Sequence, residues 1–367
     1  MLKSNIPFAN IRFFDDSPTT VDLERRFAQF LRDFRERRCV AQQIERVAEG
    51  GPKEDFDLYG NSLSTQDKIK IERRALWYVE QQEAATGMQH LRTDDRNTLR
   101  RLQNGATVSR VSNEHDADVL AATLHEEMPW MGPATEHIWH AMRRSVREGR
   151  PGLQFAPLLL LGPPGIGKSH WARRLGKLLE VPTTVVEATG EPASFALIGS
   201  QRGWANAGPG KIMETILREK CANPLMVVDE VEKAGDVTSE KGLRFSLTDA
   251  LLPLLERMTA KTWQCPYYRV QFDLSWVGWV LTANSLRGLP EPLLSRCPPL
   301  DLPPVSRQHL IGFARRLGQA HDLPDEAITV IEEIILSCHG DIGGPSLRTV
   351  KRMIERAEIA YARPLLH

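Results

Sequence analysis

Phe27, Phe30, Leu31 and Phe34 recur at i, i+3, i+4 and i+7, which is one face of a helix. The pattern predicts that Thr20 caps this helix, with Asp22 and Glu24 in its first turn, and that Gly50-Gly51-Pro52 ends it. An aromatic stripe of this kind is expected to face a core. Residues 65–85 read as a second helix, residues 90–103 as a polar, charged stretch, and residues 1–17 as a loose lead-in. The texture changes after about residue 118. Residues 134–148 read as a helix stopped by Gly149-Arg150-Pro151-Gly152. Short apolar runs at 157–161, 183–187, 225–228 and 276–281 read as buried strands, with helices at 168–180 and 210–220 between them. Strand–helix alternation predicts an α/β fold, a doubly wound parallel sheet flanked by helices. After Pro303-Pro304 the strands stop, and residues 306–320, 325–338 and 345–362 read as three helices. The chain is thus expected to hold an N-terminal, mostly helical domain (1–117), an α/β domain (118–304) and a C-terminal helical lid (305–367).

Composition narrows the function classes. A chain of 367 residues with 41% hydrophobic content can bury a sizeable core, which excludes disorder of the whole chain. Its 47 Lys and Arg balance 47 Asp and Glu, which argues against a protein that coats nucleic acid, though a local basic groove is compatible with it. Cys39, Cys221, Cys265, Cys297 and Cys338 lie far apart with no CxxC, so a disulfide framework or zinc ribbon is not expected. Met1 to Ile11 lacks the charged and apolar regions of a secretory signal, and no apolar run approaches the roughly 20 residues of a membrane span. A cytoplasmic protein without membrane contact is expected. His137 and His140 lie three apart on a helix but lack a supporting Cys or acidic pattern, so no metal is assigned to them.

The chemistry begins at Gly162-Pro163-Pro164-Gly165-Ile166-Gly167-Lys168-Ser169, which fits GxxxxGK[ST] between a strand and a helix. The glycines let backbone N–H groups wrap around phosphate, and the helix presents its positive end. Lys168 would neutralise the β- and γ-phosphates, and the Ser169 hydroxyl would ligate Mg²⁺. His170 is counted with the nucleotide-binding residues; its alternative, shared with Trp171, is packing of the helix against the sheet. The run Leu225-Met226-Val227-Val228-Asp229-Glu230 is an apolar strand ending in two acids. Asp229 would hold Mg²⁺ through water, and Glu230 would polarise the attacking water. A further strand ends in Thr282-Ala283-Asn284, whose amide can position the water or the γ-phosphate. The cofactors expected are ATP and Mg²⁺.

Over roughly residues 120–367 the sequence resembles AAA+ ATPases, and more narrowly the ATPase module of Lon proteases. Four stretches carry the resemblance: 162–169; Ile198-Gly199-Ser200-Gln201-Arg202-Gly203-Trp204-Ala205-Asn206-Ala207-Gly208-Pro209-Gly210-Lys211; Asn223-Pro224 through Lys233; and Leu281 to Ser285 followed by Pro292-Leu293-Leu294-Ser295-Arg296. The resemblance implies that Asn284 is sensor 1. It implies that Arg296 is an arginine finger reaching the ATP site of the next subunit, and that Arg348, in the sensor 2 helix, lies at the nucleotide and binds it. Gly343-Gly344-Pro345-Ser346 departs from the usual entry to that helix, and Met128 to Gly132 is placed beside adenine by analogy. Trp204 matches the aromatic pore-loop position that grips an extended polypeptide, although Ala205 follows it where the family has an aliphatic residue. The resemblance further implies self-association into a ring, a hexamer, acting on a protein substrate or partner. Only nineteen residues follow Arg348, too few for the Ser-Lys peptidase domain of Lon, so no intrinsic protease activity is expected. A nucleic-acid motor or loader is the alternative, disfavoured because 199–211 carries only Arg202 and Lys211 as cations. A slow nucleotide-dependent switch is the other.

Overall fold

The apolar runs between residues 157 and 301 become the strands of one sheet. In the computed structural model, residues 1–14, 18–49, 62–189, 193–203, 207–234, 237–238, 244–338 and 345–362 are described. By chain order the strands are β1 (Leu2–Ile6), β2 (Ala106–Arg110), β3 (Leu158–Leu161), β4 (Thr183–Glu187), β5 (Leu225–Asp229), β6 (Val237–Thr238), β7 (Arg244–Phe245), β8 (Trp263–Gln264), β9 (Gln271–Phe272), β10 (Gly278–Ala283) and β11 (Pro299–Asp301). The helices are α1 (Thr20–Ala48), α2 (Thr65–Ala85), α3 (Thr93–Arg100), α4 (Glu114–Glu127), α5 (Gly132–Arg147), α6 (Lys168–Leu178), α7 (Ala193–Ile198), α8 (Lys211–Glu219), α9 (Leu247–Leu255), α10 (Arg257–Ala260), α11 (Glu291–Arg296), α12 (Arg307–Ala320), α13 (Asp325–Ser337) and α14 (Leu347–Ala362).

Five strands form a parallel sheet in the order β11-β3-β10-β5-β4. This is the expected α/β architecture. All six residues of β10 are buried, as a central strand requires, and Leu158, Leu160, Val227 and Val280 pack with Trp171 and Leu175 of α6 in the main core. Register positions the site. Leu281 pairs with Val228 and Ala283 with Leu161, so the C-terminal ends of β3, β5 and β10 come out side by side. Helices α12, α13 and α14, the three expected after the last strand, make a smaller core from Leu310, Ile328, Ile331, Ile335, Val350 and Ile354. The five cysteines are unpaired, and burial pushes the Cys265 and Cys297 thiols up to about 11 and about 12, which keeps them protonated and inert. No helix among the described residues is long and apolar enough to cross a membrane.

Local expectations differ from the structure in several places. Residues 2–6 are not a loose lead-in: β1 pairs antiparallel with β2, and Ile6 and Phe8 are buried. By contacts, Met1–Ala9 joins Arg101–His367 in one compact unit and Asn10–Arg100 forms another, whereas the sequence groups 1–117 together. The cap of α1 is Thr19, one residue earlier than expected; its Oγ1 accepts from the Asp22 N–H, and Asp22 accepts from the Thr19 N–H. The stripe on α1 faces a core only in part, with Phe27 and Leu31 half-buried. Phe30 is 68% exposed and Phe34 52%, stacked on each other, while α1 is tied to α2 by a two-pronged Arg35–Asp67 ion pair at 2.9 Å. Helical period identifies a face; it does not say what covers it. The polar stretch at 90–103 contains α3, which opens on Asp94 and Asp95 and buries Leu99.

Candidate functional site

The loop after β3 is shaped by backbone conformations that side chains resist. Gly165 and Gly167 have φ of +82° and +91°, and Gly167 is the left-handed residue that opens α6. Space is short as well: a Cβ on Gly165 would meet Ser346 at 3.3 Å and one on Gly167 would meet Leu347 at 3.4 Å. The first residues of α14 therefore lie against this loop. Trp130 holds it from another side, its indole N–H donating to the Ile166 carbonyl at 2.8 Å while its ring contacts His309 and Phe313 of α12. The segment 128–132 thus lies between the loop and the lid.

Lys168 is 7% exposed, and its ammonium donates to Gly162 O (2.7 Å), Pro163 O (3.0 Å) and Asn284 Oδ1 (2.9 Å). Burial pulls its pKa below the usual lysine range. The negative charges of Glu232, Asp229 and Glu230 oppose this, and the nearby positive charge of Arg348 adds to it. Arg348, at the start of α14, is therefore within electrostatic reach of the loop lysine. Next along α6, Ser169 Oγ donates to Asp229 Oδ1 at 2.7 Å. Thr282 Oγ1 donates to the same oxygen at 2.5 Å and accepts from the Glu230 N–H at 3.0 Å. Glu230 itself sits at φ +55°, a conformation costly for a residue with a side chain and often found where strain aims a functional group. Its carboxylate accepts from Lys233 Nζ at 2.8 Å and lies 3.4 Å from Asn284 Nδ2.

Sequence reasoning missed two members of this network. Thr282 is fully buried and joins Asp229 to the start of the Glu230 turn; its only signal in the sequence is that it lies two residues before Asn284, on the same strand face. Glu232 Oε1 accepts from both the backbone N–H (3.0 Å) and the side-chain Nδ2 (2.9 Å) of Asn284, and Glu232 Oε2 is buried without a partner. Glu232 sets which way the amide faces, with Oδ1 toward Lys168 and Nδ2 toward the acids. Its signal was a third acid in Asp229-Glu230-Val231-Glu232.

Lys168, Ser169, Asp229, Glu230, Asn284 and Arg348 are thus drawn to one end of the sheet, beside the loop 162–167. Arg296 is not. It ends α11, ahead of β11, whose Pro299 pairs with Leu159, so it lies toward the opposite end of the sheet. There its Nη2 donates to Glu256 Oε2 at 3.3 Å and its Nη1 to Pro292 O at 3.0 Å. His170 does not pack α6 on the sheet: it is exposed, whereas Trp171 is fully buried and donates to Thr135 Oγ1 at 3.1 Å. Trp204 and Ala205 lie outside the described residues, as do Gly343 and Gly344. The base of the 199–210 loop is described: Ser200 N donates to Gly208 O at 3.1 Å, and a Cβ on Gly210 would come within 2.3 Å of the Gly199 nitrogen, so two glycine backbones close the loop.

The donor set fits a nucleotide with a divalent ion. A left-handed glycine loop and a buried ammonium with only neutral acceptors suit phosphate oxygens. Ser169 Oγ and the Asp229 carboxylate are adjacent hard oxygens of the type Mg²⁺ takes beside phosphates and waters.

Residues 158–300 match the family described as ATPase family associated with various cellular activities (AAA). The chain is 28% identical over 236 residues to the peroxisomal Lon protease homolog 2 of Oryza sativa subsp. indica, covering 62% of this chain and 26% of that one. It is 30% identical over 193 residues to Lon protease 2 of Sorangium cellulosum, covering 51% and 23%. The chain therefore spans about a quarter of the length of these relatives. Among solved structures, the Hsp104:casein complex of S. cerevisiae in its extended conformation superposes with a TM-score of 0.51 at 16% identity, covering 79% of this chain and 54% of that one, a likeness of fold.

Proposed function

From a chain that carries an AAA+ ATPase domain related to the ATPase region of Lon proteases, we infer an ATPase that hydrolyses Mg-ATP at the subunit interfaces of a ring, a hexamer, to remodel or thread a protein substrate. The observation that carries the hydrolytic reading is the convergence of Lys168, Ser169, Asp229, Glu230 and Asn284 at one sheet end. The N–H groups of the loop 162–167 cradle the phosphates, and Lys168 neutralises the β- and γ-oxygens. Ser169 and Asp229 would hold Mg²⁺, which when bound would neutralise phosphate charge. Glu230 takes the proton of the attacking water, and Asn284 orients that water between Glu230 and Lys168. Arg348 approaches the phosphates from the lid. The Arg296 guanidinium lies away from its own loop and serves the site of the neighbouring subunit. Trp204, in the loop closed by Gly199 and Gly210, grips the substrate. Unpaired cysteines suit the cytoplasm.

The test combines trans-complementation with polymer stimulation. Arg296→Ala alone should lower phosphate release by about 10³-fold or more. Mixed with Lys168→Ala subunits, it should regain activity, since one variant supplies an intact loop and the other an intact finger. Wild-type activity should rise with unfolded polypeptide and not with single-stranded DNA. A mixture that stays inactive would remove the shared-site reading; stimulation by DNA alone would move the protein to the nucleic-acid motors.

Glu232 is expected to act through Asn284. Glu232→Ala leaves two donors of Asn284 without their acceptor, so kcat should fall about 10- to 100-fold, the effect of leaving buried hydrogen-bonding groups unpaired, with KM for ATP nearly unchanged. Glu232→Gln keeps an accepting oxygen and should recover much of the loss. A fall in ATP affinity matching the fall in kcat would show a structural role instead.

A further inference from the structure

At the opposite end of β3 from the phosphate loop lies an open cavity of about 510 Å³. It is walled by α5, by the segment 154–157 leading into β3, and by the turn from α9 into α10. His137, Arg144, Arg150, Gln154, Phe155 and Arg257 are among the residues that line it, and no carboxylate does among the described residues. The arginines are held together with little negative charge between them. Arg257 Nη2 donates to Gln154 Oε1 at 2.7 Å, and Arg150 Nη1 reaches the same oxygen at 3.4 Å. Gln154 is fixed in that orientation because its Nε2 donates to Ser275 O at 3.2 Å. Arg144 and Arg150 share the single carboxylate of Glu148, at 2.7 and 2.5 Å. The next acid along, Glu256, is engaged by Arg296. Three guanidiniums therefore face one cavity against one carboxylate and one neutral amide oxygen.

The balance shows in Arg257. Burial, then the repulsion of Arg150 and Arg144, pulls it below the usual arginine range, and Glu148 opposes this. Like charges gathered this way favour an anion that can take several N–H donors at once, and planar guanidinium forks match phosphate oxygens in geometry. The volume is that of a small-ligand site. Phe155 adds an apolar wall, so the cavity is not suited to bare chloride alone.

We propose that this arginine-walled cavity is a second anion site, separate from the nucleotide loop, that binds a small molecule carrying two or more phosphate groups. It stands whether or not the ring and threading reading holds.

The experiment titrates inorganic tripolyphosphate into the full-length Lys168→Ala protein, in which the loop site is disabled, at fixed ionic strength by calorimetry. One saturable site is expected. Arg257→Gln and Arg150→Gln should each weaken it about tenfold or more, while Arg218→Gln, on a surface arginine paired with Glu219, should not. Circular dichroism of each variant confirms folding, and Arg257→Lys, which keeps charge but loses the fork, should be intermediate. No saturable binding, or binding indifferent to both cavity variants, would overturn the proposal. So would variants that alter sedimentation while leaving tripolyphosphate binding intact, because the arginines would then belong to a contact between copies of this chain.

Discussion

Glu230→Gln is expected to bind ATP as the wild type does and to release phosphate about 10²- to 10⁴-fold more slowly, the usual contribution of a positioned general base. The substitution preserves shape and leaves Lys168, Ser169 and Asp229 untouched, so the groups assigned to phosphate and Mg²⁺ remain. It removes the charge that accepts a proton and that attracts Lys233 Nζ at 2.8 Å. The Glu230 N–H still donates to Thr282 Oγ1, so the strained turn at φ +55° keeps its anchor. Equilibrium binding of a fluorescent ATP analogue, measured beside single-turnover phosphate release, separates the two effects. Turnover at the wild-type rate would take Glu230 out of the role of base.

Lys168→Ala is expected to fail a step earlier. The ammonium is the charge at the heart of the loop, and it bonds two loop carbonyls and Asn284 at once. Its loss removes a charge-assisted contact to phosphate, so ATP affinity should drop by about 100-fold or more. It also leaves Gly162 O and Pro163 O facing the site without a donor, which repels phosphate oxygens. The same binding assay reads this directly. A variant that binds ATP normally but hydrolyses it slowly would mean that Lys168 acts only on the transition state.

What was legible in the sequence shares one property: its cause is local. GxxxxGK[ST] can be read because left-handed glycines and the start of α6 are set within eight residues. The strands could be read as apolar runs, α2 began and ended where its periodicity placed it, and Asp229 and Glu230 stood out as acids on an apolar strand. Boundaries were less legible. Trp276 was placed in a strand that begins at Gly278, and the cap of α1 was placed one residue late.

Other features arise only when distant segments meet. Glu232 and Asn284 lie 52 residues apart, and nothing in either neighbourhood says that one carboxylate oxygen takes both amide donors. The pairing of Leu281 with Val228 puts Thr282 beside Asp229. Likewise Arg150 and Arg257 read as scattered surface cations until α5, the entry to β3 and the end of α9 bring them round one cavity. The exposed Phe30 and Phe34 make the converse point, since a helix's periodicity is set by its own sequence while its burial depends on what packs against it. The glycine loop, the acid-tipped strand and the α/β order are written locally, because backbone conformation and hydrophobic period act over a few residues. Which oxygen orients Asn284, that Arg296 lies away from its own loop, and where unbalanced charge collects all follow from the assembled fold, because parallel register and helix packing join residues that the chain keeps far apart.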